Sequence, residues 1–363
     1  MKLFLKWLVS ALIAAVFVLL AARDWPLDKI MCSGVELSDG ALLCVAQAED
    51  GTREVSWSLR PLWLLAAFLV LAAVHFLRVV RWEPLLSPIA KFDFKTLNRV
   101  GAISFLSLFV FPLRLGELAR PYLIARTGRL RKSAALGTIA VERVMDGLMM
   151  ALLLALVLFF LPRTNQETYS SLEAGAWIAS AVFAAALAML AVAWKNRDFA
   201  VKVVRLCVGW ASPRLADKLS GMMGAFIDGL KAMPRRKDFF RFLWLTLVYW
   251  AINGFYFYFM GCAFGLEGTI DVAVAYAMMA AVAVGMMIPN SPANVGSFWY
   301  FLLLPMALYP KVEQPAAPMA FALAVWALML AQYTLFAGYY LVRGEESMKS
   351  LWSIQKEKLN DEE

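Results

Sequence analysis

Charged side chains lie within or beside apolar runs of this sequence, where a hydrocarbon environment would exclude them unless they were paired. The six are Arg114, Glu117, Arg120, Glu142, Arg143 and Asp146. The first three fall in "FPLRLGELAR" and the last three in "VERVMDG". A buried charge costs several kcal/mol without a partner, so pairing among these groups is nearly obligatory. The two stretches are therefore predicted to meet in one buried network of arginines and carboxylates.

Arginine suits a phosphate ligand because its planar guanidinium donates two parallel hydrogen bonds. Pairing with Glu117 would hold Arg114 and Arg120 ready between ligands. The network can therefore form a site for a phosphate headgroup. The alternative, that the ion pairs only fasten two segments together, stays open because structural ion-pair networks are common.

A second group of polar side chains interrupts an apolar region in "PNSPANVG", at Asn290, Ser291 and Asn294. Their amide and hydroxyl groups can hydrogen-bond a polar headgroup. They can equally cap the ends of broken helices. The sequence does not decide between these two roles.

The composition indicates that these residues sit in a membrane protein. Of 363 residues, 62% are hydrophobic and only 17% are charged, which is too apolar for a soluble domain of this size. The net charge of +8 indicates loops facing anionic lipid rather than a nucleic-acid partner. There is no CxxC, HExxH, Walker or dinucleotide-binding motif, so neither a metal site nor a cofactor is predicted.

The elements that must carry the charges are apolar helices, and the predicted fold class is an all-α, polytopic membrane protein. A spanning helix needs about 20 apolar residues. The six predicted spans are about 4–22, 61–80, 133–161, 174–194, 240–262 and 317–342. In the helix that begins near Ser133, a rise of 1.5 Å per residue puts Glu142 and Asp146 roughly 13 and 20 Å deep.

Two further regions, 98–126 and 271–309, hold apolar runs broken by proline and polar residues. Lys and Arg flank the first on both sides, whereas few flank the second. Under the positive-inside rule, 98–126 enters the membrane from the cytoplasm and 271–309 enters from outside. Two re-entrant helical hairpins inserted from opposite faces are therefore predicted, with both chain termini in the cytoplasm.

The two hairpins share a sequence pattern, since "FPLRLGE" at 111–117 resembles "SPANVGS" at 291–297. Each is preceded and followed by a long apolar helix. An inverted-topology repeat with broken helices is a transporter signature, although proline and glycine also recur in membrane helices for other reasons. The predicted structural residues of the hairpin tips are Pro112, Gly116, Pro289, Pro292 and Gly296.

The predicted organisation has five parts. They are an N-terminal anchor helix with an outer loop (1–60), a first repeat half (61–161), a connecting helix with a cytoplasmic amphipathic segment (162–239), a second repeat half (240–342) and a cytoplasmic tail (343–363). Cys32 and Cys44 can form a disulfide in the outer loop, which would face an oxidising compartment.

A basic row at the end of the 61–80 run consists of His75, Arg78 and Arg81. Such a row, at the cytoplasmic end of a helix, is more often an interfacial anchor than a ligand site. It is interpreted here as an anchor.

Three motifs together resemble the flippase-like family, the membrane domains related to the lysylphosphatidylglycerol synthase transmembrane region. They are P-x-R-x-G-E-x-x-R at 112–120, E-R-x-x-D at 142–146 and P-x-S-P-x-x-x-G-x-F at 289–298. The resemblance covers about 61–342. It implies a helical lipid translocase of the bacterial inner membrane, with the six charged residues as its core.

Two departures from the family pattern concern the second hairpin. Ala293 follows Pro292 where many relatives have glycine, and Trp299 stands where some have glutamate. An acidic, proton-handling role for this hairpin is therefore not expected. The resemblance covers the membrane region of the synthase and does not extend to its aminoacyl-transferase domain, so synthesis of an aminoacylated lipid is not expected.

The function predicted from the residues and the resemblance is translocation of a phosphate-bearing lipid, of phospholipid or polyprenyl-phosphate type. The expected partners are that lipid, with its anionic headgroup, and proteins of envelope biogenesis. One alternative is a non-catalytic membrane subunit of an envelope lipid assembly complex. Another is a membrane-embedded lipid-modifying enzyme, which the sequence does not support because no nucleophile–base pair is visible. The lipid, the direction, the coupling ion and the oligomeric state stay open.

Overall fold

Long helices make up most of the chain in the computed structural model, which describes residues 2–22, 27–47, 51–111, 116–196, 198, 202, 236–286, 292–309, 314 and 316–344. The described helices before residue 197 are α1 (Lys2–Ala22), α2 (Leu27–Ile30), α3 (Pro61–Val80), α4 (Glu83–Leu86), α5 (Phe94–Val110), α6 (Ala119–Ala125), α7 (Lys132–Leu158) and α8 (Gln166–Lys195). Those after it are α9 (Arg236–Ala263), α10 (Val272–Gly285), α11 (Ser297–Leu303) and α12 (Ala317–Val342).

Within the described ranges, four helical segments are long and apolar enough to cross a membrane. They are 61–86, 166–189, 236–263 and 317–342. The 27 residues of α7 are also long enough, but its central turns carry Glu142, Arg143 and Asp146. The chain is therefore a mostly helical, multi-pass membrane protein, and the layout with six spans stays a prediction.

Side-chain caps fix where several of these helices begin. Asp93 accepts hydrogen bonds from the hydroxyl and the backbone N–H of Thr96 at the start of α5, and these bonds hold the pKa of Asp93 below its usual value. Asn165 caps α8 in the same way, so that helix begins eight residues before the predicted span 174–194. Asp271 caps α10 by accepting from the N–H of Val274 at 2.8 Å.

The predicted outer loop folds into a small β-sheet. Strands β1 (Gly34–Ser38), β2 (Ala41–Gln47) and β3 (Arg53–Leu59) form an antiparallel sheet in the order β1-β2-β3. Asp39 and Gly40 connect the first two strands, and both have positive φ, at 49° and 75°. A two-residue Asp-Gly connection with this geometry is a strong hairpin signal, so the sheet was readable in "VELSDGALLCV".

A disulfide links the approach to β1 with β2, and two further contacts attach the sheet to the helices. Cys32 and Cys44 form a disulfide whose Cα atoms are 5.2 Å apart, which ties the approach to β1 onto β2. At the other end, the N–H of Arg60 donates to the carbonyl of Ala263 at 2.8 Å. The rings of Trp57 and Phe264 lie 6.0 Å apart. The sheet therefore sits against the C-terminal end of α9.

Helices of the two predicted repeat halves pack against each other. Helix α5 of the first half packs on α12 of the second, while α10 of the second half packs on α7 of the first. Helices α3 and α9, which begin the two halves, lie side by side, with the rings of Trp63 and Phe259 5.5 Å apart. The inverted repeat stays a prediction, and this reciprocal packing is what such a repeat would require.

In the first predicted hairpin, the chain leaves α5 and returns against it as α6. The turn itself, which includes Pro112 and Arg114, lies outside the described residues. Gly116 follows it and packs so closely that a Cβ there would overlap the backbone of Ser107 and Leu108. The close approach of the returning chain to α5 therefore requires glycine, which has no side chain, at position 116.

We expect Gly116→Ala to lower the free energy of unfolding by about 1–3 kcal/mol, because backbone rather than a flexible side chain must move. Thermal unfolding of the detergent-purified protein checks this. Gly175→Ala is the matched control, since nothing lies within 4 Å of a Cβ there. In the interior of α8 that change should stabilise by about 0.5–1 kcal/mol. Equal melting midpoints for the two variants would contradict the close return.

The second predicted hairpin runs from α10 through a 3-10 turn at 292–294 into α11. Pro289, Asn290 and Ser291 lie outside the described residues. Gly296 has φ 82°, and a Cβ there would meet the backbone N of Val18 in α1 at 2.6 Å. The N-terminal helix thus packs directly on this hairpin.

The broken parts of the two hairpins are neighbours. The indole of Trp326 in α12 donates to the carbonyl of Ala293 at 2.7 Å. The ring of Phe109, in the last turn of α5, lies 6.1 Å from that indole. The end of α5 also contacts the 292–294 turn directly. The depth of both breaks in a membrane, and hence their re-entrant character, stays a prediction.

Candidate functional site

The centre of the charged network is Arg81, a residue that the sequence analysis interpreted as an interfacial anchor. Its guanidinium is fully buried. It binds both carboxylate oxygens of Asp146, at 2.6 and 2.7 Å, and Oε1 of Glu142 at 2.9 Å. That interpretation is therefore wrong for Arg81, which joins α3 to α7 inside the protein.

Glu142 also forms ion pairs with two further arginines. Arg120 of α6 reaches its Oε2 at 2.7 Å, and Arg143 reaches its Oε1 at 2.7 Å. Arg143 also pairs with Asp146 at 3.2 Å, the i,i+3 contact that the sequence predicted. Arg81, Arg120, Arg143, Glu142 and Asp146 are called here the ion cluster. It connects α3, α6 and α7.

Aromatic rings surround the ion cluster. The Arg81 guanidinium lies 4.3 Å from the centroid of Tyr249, and that of Arg120 lies 4.4 Å from the centroid of Trp82. The indole N–H of Trp250 donates to Asp146 at 3.0 Å. Rings replace water around these charges while contributing cation–π attraction. Through Tyr249 and Trp250 of α9, the second half of the chain therefore contributes to the surroundings of the ion cluster.

Beside the ion cluster, the helices line a partly open cavity of about 480 Å³. Its charged lining consists of Arg78, Glu117, Arg143 and Asp146. Two members of the ion cluster therefore face a space that can hold a ligand. A cavity of this size is in the range of small-molecule binding sites.

The rest of the cavity wall is largely apolar. Met150, Met279, Val282, Met286 and Phe298 contribute to it, and they come from α7, from α10 and the residue that follows it, and from α11. The wall therefore combines charged groups from the first half of the chain with apolar groups from both halves. Flexible methionine side chains adapt to ligands of irregular shape.

Both predicted hairpins contribute to the cavity. Glu117, from the first, is half-buried, and Asn294, from the second, has φ 57° in the turn after Pro292. The predicted site residues Arg114, Asn290 and Ser291 lie outside the described residues. Arg120 and Glu142 are in the ion cluster but do not line the cavity.

His75 and Arg78 also differ from their interpretation as surface anchors. Arg78 lines the cavity with its guanidinium 4.0 Å from the centroid of Phe105. His75 is 2% exposed and lines the same cavity, hydrogen-bonded to Asn98 at 3.0 Å. The signal for their burial was the continuation of the apolar run past Arg81 into "RWEPLL", which carries the helical segment on to Leu86.

No group of three His, Cys, Asp or Glu side chains that could hold a metal ion occurs in the part of the chain that the structure describes. Cys262 is buried and unpaired. Cys207 and the predicted amphipathic segment between 198 and 237 lie almost wholly outside the described residues.

Long apolar helices around a charged internal cavity define a multi-pass membrane protein with a buried polar site. The chain belongs to the family described as the lysylphosphatidylglycerol synthase TM region, whose model matches residues 41–337. The resemblance seen in the three motifs is thereby confirmed. Neither a search of curated proteins nor a search of solved structures finds a match.

Proposed function

We propose that the protein is a lipid translocase that moves a phosphate-bearing lipid across the bacterial inner membrane through the cavity beside the ion cluster. The observation that carries this proposal is a cavity wall that combines four charged side chains with a largely apolar lining. A lipid has the same combination, because its headgroup is ionic and the start of its chains is apolar. Membership of a family named for a membrane lipid synthase supports a lipid ligand.

Arg78 is the group that we assign to the phosphate. It lines the cavity, and its Nε is buried without a hydrogen-bond partner among the described residues. The described residues also give it no carboxylate partner, whereas Arg81, Arg120 and Arg143 each have one. A guanidinium in this state binds a phosphate without first breaking an ion pair.

The proposal includes the topology predicted from the sequence. Six helices span the membrane, and hairpins 98–126 and 271–309 enter from opposite faces in an inverted repeat. The five-part organisation and the cytoplasmic position of both termini follow from that layout. Contact between the broken parts of the hairpins, through Phe109, Trp326 and Ala293, supports it because opposed hairpins meet only inside the membrane.

We expect Arg78→Gln to slow lipid translocation at least about tenfold, because one hydrogen bond to a charged group contributes roughly 1.5–3 kcal/mol. The measurement is the transfer of fluorescent phospholipid between leaflets of proteoliposomes. Arg53→Gln is the control, since Arg53 is 78% exposed on the outer sheet. Rates for Arg78→Gln equal to those of the control would contradict the assignment of the phosphate to Arg78. Transfer by the wild-type protein no faster than in protein-free liposomes would contradict the translocase and leave the subunit or enzyme alternative.

A further inference from the structure

The volume of the cavity limits how much of a lipid it can hold. About 480 Å³ is the size of a site for one drug-sized molecule. Each chain of a bilayer lipid spans half of a hydrocarbon core of about 30 Å, or roughly 15 Å. The cavity therefore holds a headgroup and the first part of the chains, while the rest of the chains must stay in the bilayer. This arrangement requires an opening on the side of the helix bundle.

Helices α7 and α9 leave such an opening between them. At one end α4 packs on both helices, where Glu83 pairs with Arg241 and the adjacent Trp82 donates to Thr138. Toward their C-terminal ends α10 packs on both. Between these contacts α7 and α9 do not pack closely on each other, yet both line the cavity. This gap is called here the side window, and the residues at it are Arg143, Asp146 and Met150 of α7 and Trp250 and Asn253 of α9.

A hydrogen bond between two side chains crosses the side window. The indole N–H of Trp250 donates to Oδ1 of Asp146 at 3.0 Å. Asp146 keeps its charge pairing without this bond, because Arg81 binds both of its oxygens. The bond can therefore break while the ion cluster stays intact. Helices α7 and α9 can then separate at this level without leaving a charge unpaired.

A ring from α8 lies at the mouth of the side window. Gly147, near the middle of α7, has no side chain, and a Cβ there would overlap the ring of Phe183. This ring also lines the cavity. Val182 beside it is 57% exposed on the surface of α8, one of the helices long and apolar enough to cross a membrane. Phe183 therefore lies between the cavity and the lipid, in a notch that the glycine leaves in α7.

We propose that the lipid enters and leaves the cavity sideways, through the side window, and that Phe183 is the side chain that closes its mouth. The inference rests on the proposed function and assigns the route of that lipid. Arg143, which is 31% exposed, faces the window with a guanidinium that attracts the phosphate. The half-buried amide of Asn253 gives the headgroup a polar contact on α9. The chains remain outside, in the bilayer that surrounds α8.

The first test locates the headgroup in the unmodified protein. Proteoliposomes contain a phospholipid with a diazirine on its headgroup, of a type that the wild-type protein transfers, and adducts formed on photolysis are mapped by mass spectrometry. We expect adducts on Phe183 and Asn253, because the headgroup passes them. Ile178 is the control, since it is exposed on the same helix and meets only the chains. Adducts no more frequent at Phe183 than at Ile178 would overturn the side window.

The second test blocks the side window after the protein has folded. Cys207→Ala and Cys262→Ala remove the cysteines outside the disulfide, and Phe183→Cys or Val182→Cys then adds one thiol. Each purified variant is compared before and after reaction with fluorescein maleimide. We expect the adduct at position 183 to reduce phospholipid transfer to the level of protein-free liposomes, because it fills the window. The same adduct at position 182 points into the lipid and should leave the rate of the unlabelled variant unchanged.

The outcomes separate this route from the function on which it rests. A labelled Phe183→Cys variant that transfers lipid as fast as its unlabelled form would overturn the side window and leave a translocase with another route. Failure of Phe183→Cys to react would also overturn it, because the mouth would then be closed to a headgroup. Transfer by the wild-type protein no faster than in protein-free liposomes would contradict the translocase itself. The mapping of adducts needs no variant, so it tests the route even if a substitution prevents folding.

Discussion

Arg81→Met is expected to lower the free energy of unfolding by about 3–5 kcal/mol, the loss typical of breaking a buried ion pair on one side. Methionine fills much of the volume of the arginine stem but leaves Asp146 without its bidentate partner. The ion cluster would then hold two carboxylates against two arginines, Arg120 and Arg143. We also expect lipid translocation to fall, because Asp146 lines the cavity and would lose its fixed position.

Thermal unfolding of the detergent-purified variants, at one scan rate, measures the first effect. The control is Arg241→Met, which removes an ion pair between Arg241 and Glu83 in which the arginine is 55% exposed. Exposed pairs contribute only about 0–1 kcal/mol, so this variant should unfold close to wild type. If Arg81→Met were as stable as the control, Arg81 would not be the centre of a buried cluster.

The sequence predicted the acidic half of the ion cluster better than its basic half. Glu142 and Asp146 were identifiable because two acids at i,i+4 in the middle of an apolar helix have few explanations other than pairing. Arg120 was found in the same way. Arg81 was missed because a basic residue after 20 apolar ones is normally where a helix leaves the membrane. Only the packing of α7 against the C-terminal end of α3 shows that Arg81 is buried.

The positions of most helices followed from the length of the apolar runs, but the start of α8 did not. Helix α8 begins at Gln166 because Asn165 caps it, and a polar first turn gives no hydropathy signal. The sheet in the outer loop was missed for a different reason. Its strands are only 5 to 7 residues long, and its hairpin signal is the single dipeptide Asp39-Gly40.

The cavity could not be predicted from the sequence at all. Its wall brings together α3, α5, α7, α8, α9, α10, α11 and α12, and such contacts depend on how the two halves pack. The sequence did indicate that the two hairpins would approach each other. It could not show that Gln332, in an apolar helix, would bond to the backbone of Leu71.

Glu142 differs from the other members of the ion cluster because three arginines converge on its carboxylate. Arg81 and Arg143 bind Oε1, and Arg120 binds Oε2. The carboxylate is fully buried, so no water shares this task. Its negative charge is therefore what allows Arg120 to stay charged between α5 and α7.

Glu142→Gln keeps the shape of the side chain and removes the charge. We expect it to lower the free energy of unfolding by about 3–5 kcal/mol, because Arg120 becomes a buried charge without its carboxylate. The amide has one acceptor oxygen in place of two and presents an NH₂ group to a guanidinium. Thermal unfolding under the conditions used for Arg81→Met gives the comparison, with Glu167→Gln, in the exposed first turn of α8, as the control.

The double variant Glu142→Gln/Arg120→Gln separates loss of charge pairing from loss of packing. With both partners neutral, the two amides can hydrogen-bond to each other, so part of the lost stability should return. A coupling free energy of about 1–3 kcal/mol between the two substitutions is expected. Strictly additive losses would show that Arg120 and Glu142 stabilise the protein independently. The ion cluster would then be a set of separate contacts, and α6 would need another anchor on α7.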